Sequence, residues 1–238
     1  MRSTQIPLFT PETEWVMPDE LKDLRGAKQI AIDLETNDPH LIELGSGNVT
    51  GKGHIAGIAV AVEGWSGYFP IGHESNGNMD KKLVFSWLQD MFNLPDTTFI
   101  FHNAMYDVGW LRQAGVDVKG RVIDTMVVAP LINENMYWYT LNALGIEYLQ
   151  EGKSEAELRQ AAEEWGLDPK AEMWRLPSAY VGTYATQDAA LTLKLWNRFK
   201  GLLEEQNLWN VFDLEMSVLP VVLDMKQRGV RVDVERAA

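Results

Sequence analysis

Gln29-Ile30-Ala31-Ile32-Asp33-Leu34-Glu35 is the stretch on which the fold turns. Its aliphatic residues alternate with an alanine and two acids, the period of a β-strand. Ile30, Ile32 and Leu34 share one side; Ala31, Asp33 and Glu35 share the other. A rise of about 3.3 Å per residue puts the two carboxylates roughly 7 Å apart on one face. Like charges beside a buried strand repel unless something cationic lies between them. A divalent metal ion is the obvious candidate.

Working outward, 53–62 and 65–71 read as two further strands, joined at Glu63-Gly64 as a hairpin. Lys81–Phe92 reads as a helix, 98–102 as a fourth strand, and 105–114 as a helix closed by Gly115. A fifth strand at 122–124 feeds a helix from Thr125. Ser154 and Glu157 form a capping-box pattern ahead of Leu158, Ala161, Ala162 and Trp165, and Gly166 stops that helix. A long helix follows over about 178–205, with Leu191, Leu195, Phe199 and Leu202 on one stripe. The first 26 residues hold three prolines and no clean period, and read as an extension with a short helix near 18–24. Strands first and then strands alternating with helices predict an α/β domain with a mixed sheet.

The chain has 238 residues, 46% apolar and 23% charged, a globular composition that excludes a rod or wholesale disorder. The apolar run 126–132 is too short to span a bilayer, and Met1-Arg-Ser-Thr-Gln-Ile-Pro has no signal-peptide core. No membrane contact and a cytoplasmic location are expected, in a host cytoplasm if the chain is viral. Without cysteine there are no disulfides and no thiolate metal sites. A net charge of −13 argues against simple coating of DNA. It does not argue against an enzyme that meets DNA through bound cations, whose site must itself be acidic.

The acids carry the chemistry. D-x-E recurs at Asp213–Glu215 and Asp233–Glu235, but those lack the apolar strand that flanks Asp33 and Glu35. Phe101-His-Asn103-Ala-Met-Tyr106-Asp107 lies where a strand runs into a helix, with Asn103 placed to cap and Asp107 in the first turn. A carboxylate complementing the helix dipole would look the same, and N-x-x-x-D also occurs at Asn76–Asp80. In Tyr184-Ala-Thr-Gln-Asp188 the phenol and carboxylate stack on one helical face. Asp188 falls on the core-facing stripe, where an unpaired charge costs several kcal/mol, and no Lys or Arg shares that stripe. Asp124 reads as a helix cap. His40, His54, His73 and His102 show no zinc-binding spacing, and His102 reads as structural. No phosphate-binding loop, serine-hydrolase elbow or dinucleotide fingerprint is present.

D-L-E on a first strand, N-x-x-x-[YF]-D, then Y-x-x-x-D on a late helix is an ordered set that resembles the three motifs of the DEDD superfamily of 3′–5′ exonucleases, in the subclass with a tyrosine in the third motif. The resemblance covers about residues 28–205. Residues 216–235 resemble the start of the polymerase part of family A DNA polymerases of bacteriophage type, whose palm is absent here. It implies three regions: an extension over 1–26, an exonuclease domain over 27–205, and a connector over 206–238. It implies a ribonuclease H-like mixed β-sheet flanked by helices, with three antiparallel strands first. It further implies two divalent cations, Mg²⁺ or Mn²⁺, held by Asp33, Glu35, Asp107 and Asp188, with Tyr184 and Glu35 orienting the attacking water. Leu34, Thr36, Asn103 and Tyr106 are the implied substrate contacts. The family's apolar wedge after the first motif is not evident, since Asn37, Asp38, Pro39 and His40 precede Leu41.

The implied activity is proofreading hydrolysis of single-stranded or frayed DNA 3′ ends, beside a polymerase domain in the same or a partner chain. A ribonuclease D-like RNA exonuclease and a catalytically silent binding domain are the alternatives. Gln5-Ile-Pro-Leu8-Phe9 also resembles the short peptide by which bacterial polymerases grip a sliding clamp, against the plainer reading of a terminal segment packed on its own domain.

Overall fold

A computed structural model describes residues 12–75 and 77–237, so the Gln5-to-Phe9 peptide lies outside the described residues. Five strands, β1 (Gln29–Asn37), β2 (His54–Val62), β3 (Trp65–Pro70), β4 (Thr98–Phe101) and β5 (Arg121–Asp124), form one sheet in the order β3-β2-β1-β4-β5. The first three are antiparallel neighbours, whereas β4 and β5 run parallel to β1. The sheet is therefore mixed, with the three antiparallel strands first. Parallel pairing brings the C-terminal ends of β1, β4 and β5 to one edge, the usual place for a site in an α/β sheet.

The helices are α1 (Leu41–Leu44), α2 (Gly47–Thr50), α3 (Lys81–Phe92), α4 (Ala104–Gln113), α5 (Thr125–Ile132), α6 (Leu141–Leu149), α7 (Ala156–Trp165), α8 (Ala179–Glu205), α9 (Trp209–Arg228) and α10 (Val234–Ala237). The alternation in β1 sorts them into two cores. Ile30, Ile32 and Leu34 pack with Leu88 and Phe92 of α3 and with Val108 and Leu111 of α4. On the other face Ala31, Ala59 and Ala61 meet Ala185 and Ala189 of α8. Small side chains on both surfaces let that long helix lie close across β1, β2 and β3. Phe212 of α9 joins the α8 core, while Leu219 and Leu223 join the other, so α9 closes one end of both.

Three local expectations are corrected. Residues 18–24 are not helical: Lys22 gives its carbonyl to the Trp87 indole at 2.9 Å, and Leu24 is buried in the α3 core. Ser154 does not cap α7, because its N–H donates to Gln187 Oε1 at 2.9 Å; Glu155 takes the cap position without a side-chain bond. Asn103 stands at the cap position of α4 in the left-handed region, φ 72°, and its side chain makes no capping bond. After β1 the chain forms α1 and α2, one turn each.

Candidate metal centre

Asp33, Glu35 and Asp188 converge, with one carboxylate oxygen from each lying within 4.8 Å of the others. Two acids come from the α8 face of β1 and the third from α8 itself, so the helix crossing built on alanines sets their spacing. A register shift between Glu35 and Thr36 ends the regular ladder with β2 just past the second acid. Opposite Glu35 stands Gly57, where a Cβ would lie 2.1 Å from the Tyr68 hydroxyl; the absent side chain lets that ring rise beside the acids.

Asp107 reaches the same region from the first turn of α4. Burial raises its carboxyl well above the ordinary range, and Asp33 and Asp124 add to the rise. Asp124 supplies the cap that the asparagine does not. Its carboxylate accepts from the N–H groups of Asn103 at 2.9 Å and Ala104 at 2.8 Å, and from Met126 at 2.9 Å. One buried acid thus caps both α4 and α5 and fixes the helix that carries Asp107. The capping role read from the sequence is correct, and it extends to a second helix.

The other residues named from sequence are placed variously. Leu34 is buried on the opposite face of β1, in the α3 core. Thr36 Oγ1 and Tyr106 Oη are 2.7 Å apart, and the Tyr106 hydroxyl donates to Asp38 at 3.1 Å. Asn103 is exposed at the mouth of α4. Leu41 is 43% exposed on α1. His102 pairs through Nδ1 with the Thr125 hydroxyl at 2.9 Å, and burial pushes its pKa down to about 4, so the ring is neutral.

Electrostatics mark the cluster as strained without cations. Burial first, then the charge of Asp188, pushes the Asp33 carboxyl up to about 7. Burial, Asp33 and Asp188 together raise Glu35 well above its usual range. Tyr184 is held as a phenol by burial and by the charges of Glu35 and Asp188. Glu35 Oε1 and Asp188 Oδ1 are buried and find no hydrogen-bond partner among the described residues. Two orphaned carboxylate oxygens in an all-oxygen donor set fit a hard divalent cation such as Mg²⁺ or Mn²⁺.

One residue of this cluster is not visible from the sequence. No cation lies on the α8 stripe, yet Lys153 reaches in from the α6–α7 connection. Its ammonium pairs with Asp188 Oδ2 and donates to the Tyr184 hydroxyl at 3.1 Å. Burial pulls its pKa down, but Asp188 and Asp33 outweigh that and leave it raised, so the lysine stays charged. Only local spacing was available to find partners for Asp188, and this one lies 35 positions away.

Known proteins share the sequence and the fold of this chain. A 3′–5′ exonuclease family model of the DNA polymerase A type matches residues 9–204. A DNA-directed DNA polymerase of Pseudomonas phage M6 is 38% identical over 99% of this chain, and the chain spans 37% of that relative's length. DNA polymerase I of Chloroflexus aurantiacus is 24% identical over 98% of the chain, which spans 25% of that protein. In fold, Brucella melitensis NrnC with bound Mg²⁺ superposes with a TM-score of 0.63 at 18% identity, covering 88% of this chain and 90% of that one. Escherichia coli RNase D, an exoribonuclease, superposes with a TM-score of 0.59 at 16% identity, covering 87% and 47%. The chain belongs to the 3′–5′ exonuclease family of the family A DNA polymerases, with the carboxylates and tyrosine of the DEDD pattern in place.

Proposed function

We propose that the chain is a divalent-metal-dependent exonuclease that hydrolyses the terminal phosphodiester bond of single-stranded or frayed DNA 3′ ends, and that it proofreads for a polymerase domain in the same or a partner chain. The observation that carries this reading is the convergence of Asp33, Glu35 and Asp188 with two of their oxygens left without partners. Asp33, Glu35 and Asp188 would hold one cation, and Asp107 would reach a second through water. Bound there, two divalent ions supply a hydroxide near neutral pH and charge stabilisation for the leaving 3′ oxygen.

The chain's own residues do the rest. Glu35 is buried beside Tyr68 and orients a water with an acceptor oxygen. Tyr184 keeps its proton and offers its hydroxyl as a donor to the same water. Thr36, Tyr106 and exposed Asn103 line the approach to Asp107 and contact the terminal nucleotide, with the Leu34 backbone behind them. Net charge repels DNA from most of the surface, so the site is entered only where cations reverse the local sign.

DNA is favoured as substrate by the likeness to a phage DNA polymerase at 38% identity. NrnC and RNase D share the fold at under 25% identity, which bears on architecture alone. The experiment is release of nucleotides from labelled single-stranded DNA and RNA oligonucleotides of equal sequence, with Mg²⁺, Mn²⁺ or EDTA. Metal-dependent release from the DNA 3′ end, faster than from RNA, is expected. Equal or faster release from RNA overturns the DNA assignment, and no release with metal from a folded chain overturns the exonuclease reading.

A further inference from the structure

Lys153 is placed with more care than a surface lysine needs. It sits in the connection between α6 and α7, and the three residues 152–154 are tied to α6 and α8. The Lys153 N–H donates to Asn142 Oδ1 of α6 at 2.8 Å, and the Ser154 N–H donates to Gln187 Oε1 of α8 at 2.9 Å. The Gln187 amide donates back to the Gly152 carbonyl at 3.2 Å. Gly145 of α6 lets the strap come close, since a Cβ there would meet the Glu151 carbonyl at 2.6 Å. Gln187 is the residue immediately before Asp188, so the same turn of α8 holds the strap and receives its lysine.

The side chain is 15% exposed and its partner Asp188 3%. Ordering and burying a lysine costs rotamer entropy and hydration, and such a charge persists only where a partner compensates it. Here the ammonium takes Asp188 Oδ2 and the Tyr184 hydroxyl, and lies 4.9 Å from the centre of the tyrosine ring. It leaves Asp188 Oδ1 and Glu35 Oε1 unserved. One positive charge thus stands among four carboxylates, Asp33, Glu35, Asp107 and Asp188. Two divalent ions would balance those four fully, and then the lysine's charge would be surplus until a phosphodiester, with its single negative charge, arrived.

We propose that Lys153 is the resident counter-ion of the carboxylate cluster: in the metal-free protein it holds Asp188 and Tyr184 in working position, and the first divalent ion takes Asp188 from it. The inference rests on the metal-ion reading of the site. Lys153 is on this account a positioning residue that competes with the metal. The freed ammonium remains on its strap beside Tyr184.

The test is Mn²⁺ binding to the whole chain, by paramagnetic resonance or calorimetry, together with thermal unfolding in EDTA and in Mn²⁺. K153M should bind Mn²⁺ roughly tenfold tighter than wild type, because a charge-assisted hydrogen bond no longer has to be broken and a neighbouring positive charge is gone. K153R keeps the charge and should stay near wild-type affinity. K153M should also melt earlier in EDTA and gain more from Mn²⁺ than wild type does. Folding only when Mn²⁺ is present would support the proposal in a stronger form. Mn²⁺ affinity unchanged or weakened in K153M overturns it, as does a K153M that stays unfolded at saturating Mn²⁺, since the lysine would then be purely structural. Absence of Mn²⁺ binding by the wild-type chain would instead overturn the metal reading beneath it, and D188N serves as the control for that case.

Discussion

The two faces of β1 divide the labour of the molecule. Ile30, Ile32 and Leu34 face a dense layer of α3 and α4, and each fully buried aliphatic there contributes about 1.5–3 kcal/mol through burial. One residue away in either direction, Ala31, Asp33 and Glu35 face α8, and burial, helped by the charge of Asp188, raises the pKa of both acids inside the fold. The same nine-residue strand is therefore stabilising on one side and electrostatically costly on the other. The fold tolerates the acidic face because the opposite face of the strand is so well packed.

Neighbouring substitutions can break that division most sharply. Asp33→Ala should cut nucleotide release by more than about a hundredfold, exceeding the loss seen for groups that only support metal ligands. Its thermal midpoint in EDTA should be unchanged or higher, because a repelling buried charge is removed. Ile32→Ala, one position away, should do the reverse: a stability loss of about 2–5 kcal/mol by denaturant titration, with activity per folded molecule retained. If Asp33→Ala unfolds the chain, the division fails.

Smaller effects sharpen the same contrast. Tyr184→Phe should slow release by about ten- to a hundredfold while leaving Mn²⁺ affinity in place, since the phenol is not a metal ligand. Unchanged release would remove the tyrosine from the chemistry. Asp124→Ala should cost about 2–3 kcal/mol, because three backbone N–H groups lose their acceptor. It should also lower activity through the helix that carries Asp107, and Asp124→Asn should recover part of both.

The pH dependence is the finest probe. With Asp33 raised to about 7, the folded metal-free chain keeps a proton that the unfolded chain releases near pH 4. That contribution to stability is complete below about pH 4 and is lost as pH rises through about 7. Buried His73 and His102, both pushed down to about 4, act oppositely: the unfolded chain binds their protons first, so stability rises between about pH 4 and 6.5. The histidines contribute alike with and without metal. The gap in thermal midpoint between Mn²⁺ and EDTA should therefore widen from about pH 5.5 to pH 8, as the carboxylates lose protons to become ligands. A constant gap would mean the acids do not titrate with metal binding.

Where a local period governs the structure, the sequence was enough. All five strands, the hairpin at Gly64, the helix Lys81–Phe92 and the long helix after Ser178 follow from alternation, helical spacing and glycine signals. The gathering of Asp33, Glu35 and Asp188 came from motif order together with the face each acid occupies. Features set by contacts between distant segments escaped that reading. Lys153 meets Asp188 across a connection, Asp124 caps a helix that begins before it in the chain, and the stretch at 18–24 exchanges its own helix for an indole bond. Ser154 kept a capping pattern that a distant glutamine overrode. The helices α6 and α9 carry mixed faces shared between neighbours, which blurs their period.

The five alanines at the crossing of α8 with the sheet, Ala31, Ala59, Ala61, Ala185 and Ala189, act as a calliper. Two jaws, strand and helix, each bear part of the ligand set, and the methyl groups between them set the opening. Mg²⁺ demands oxygens at about 2.0–2.1 Å, whereas Ca²⁺ takes them at about 2.3–2.6 Å, so a jaw moved by a fraction of an ångström changes which ion is gripped. The spacing of the candidate ligands is thereby set partly in the apolar core, by residues that carry no ligand atom at all.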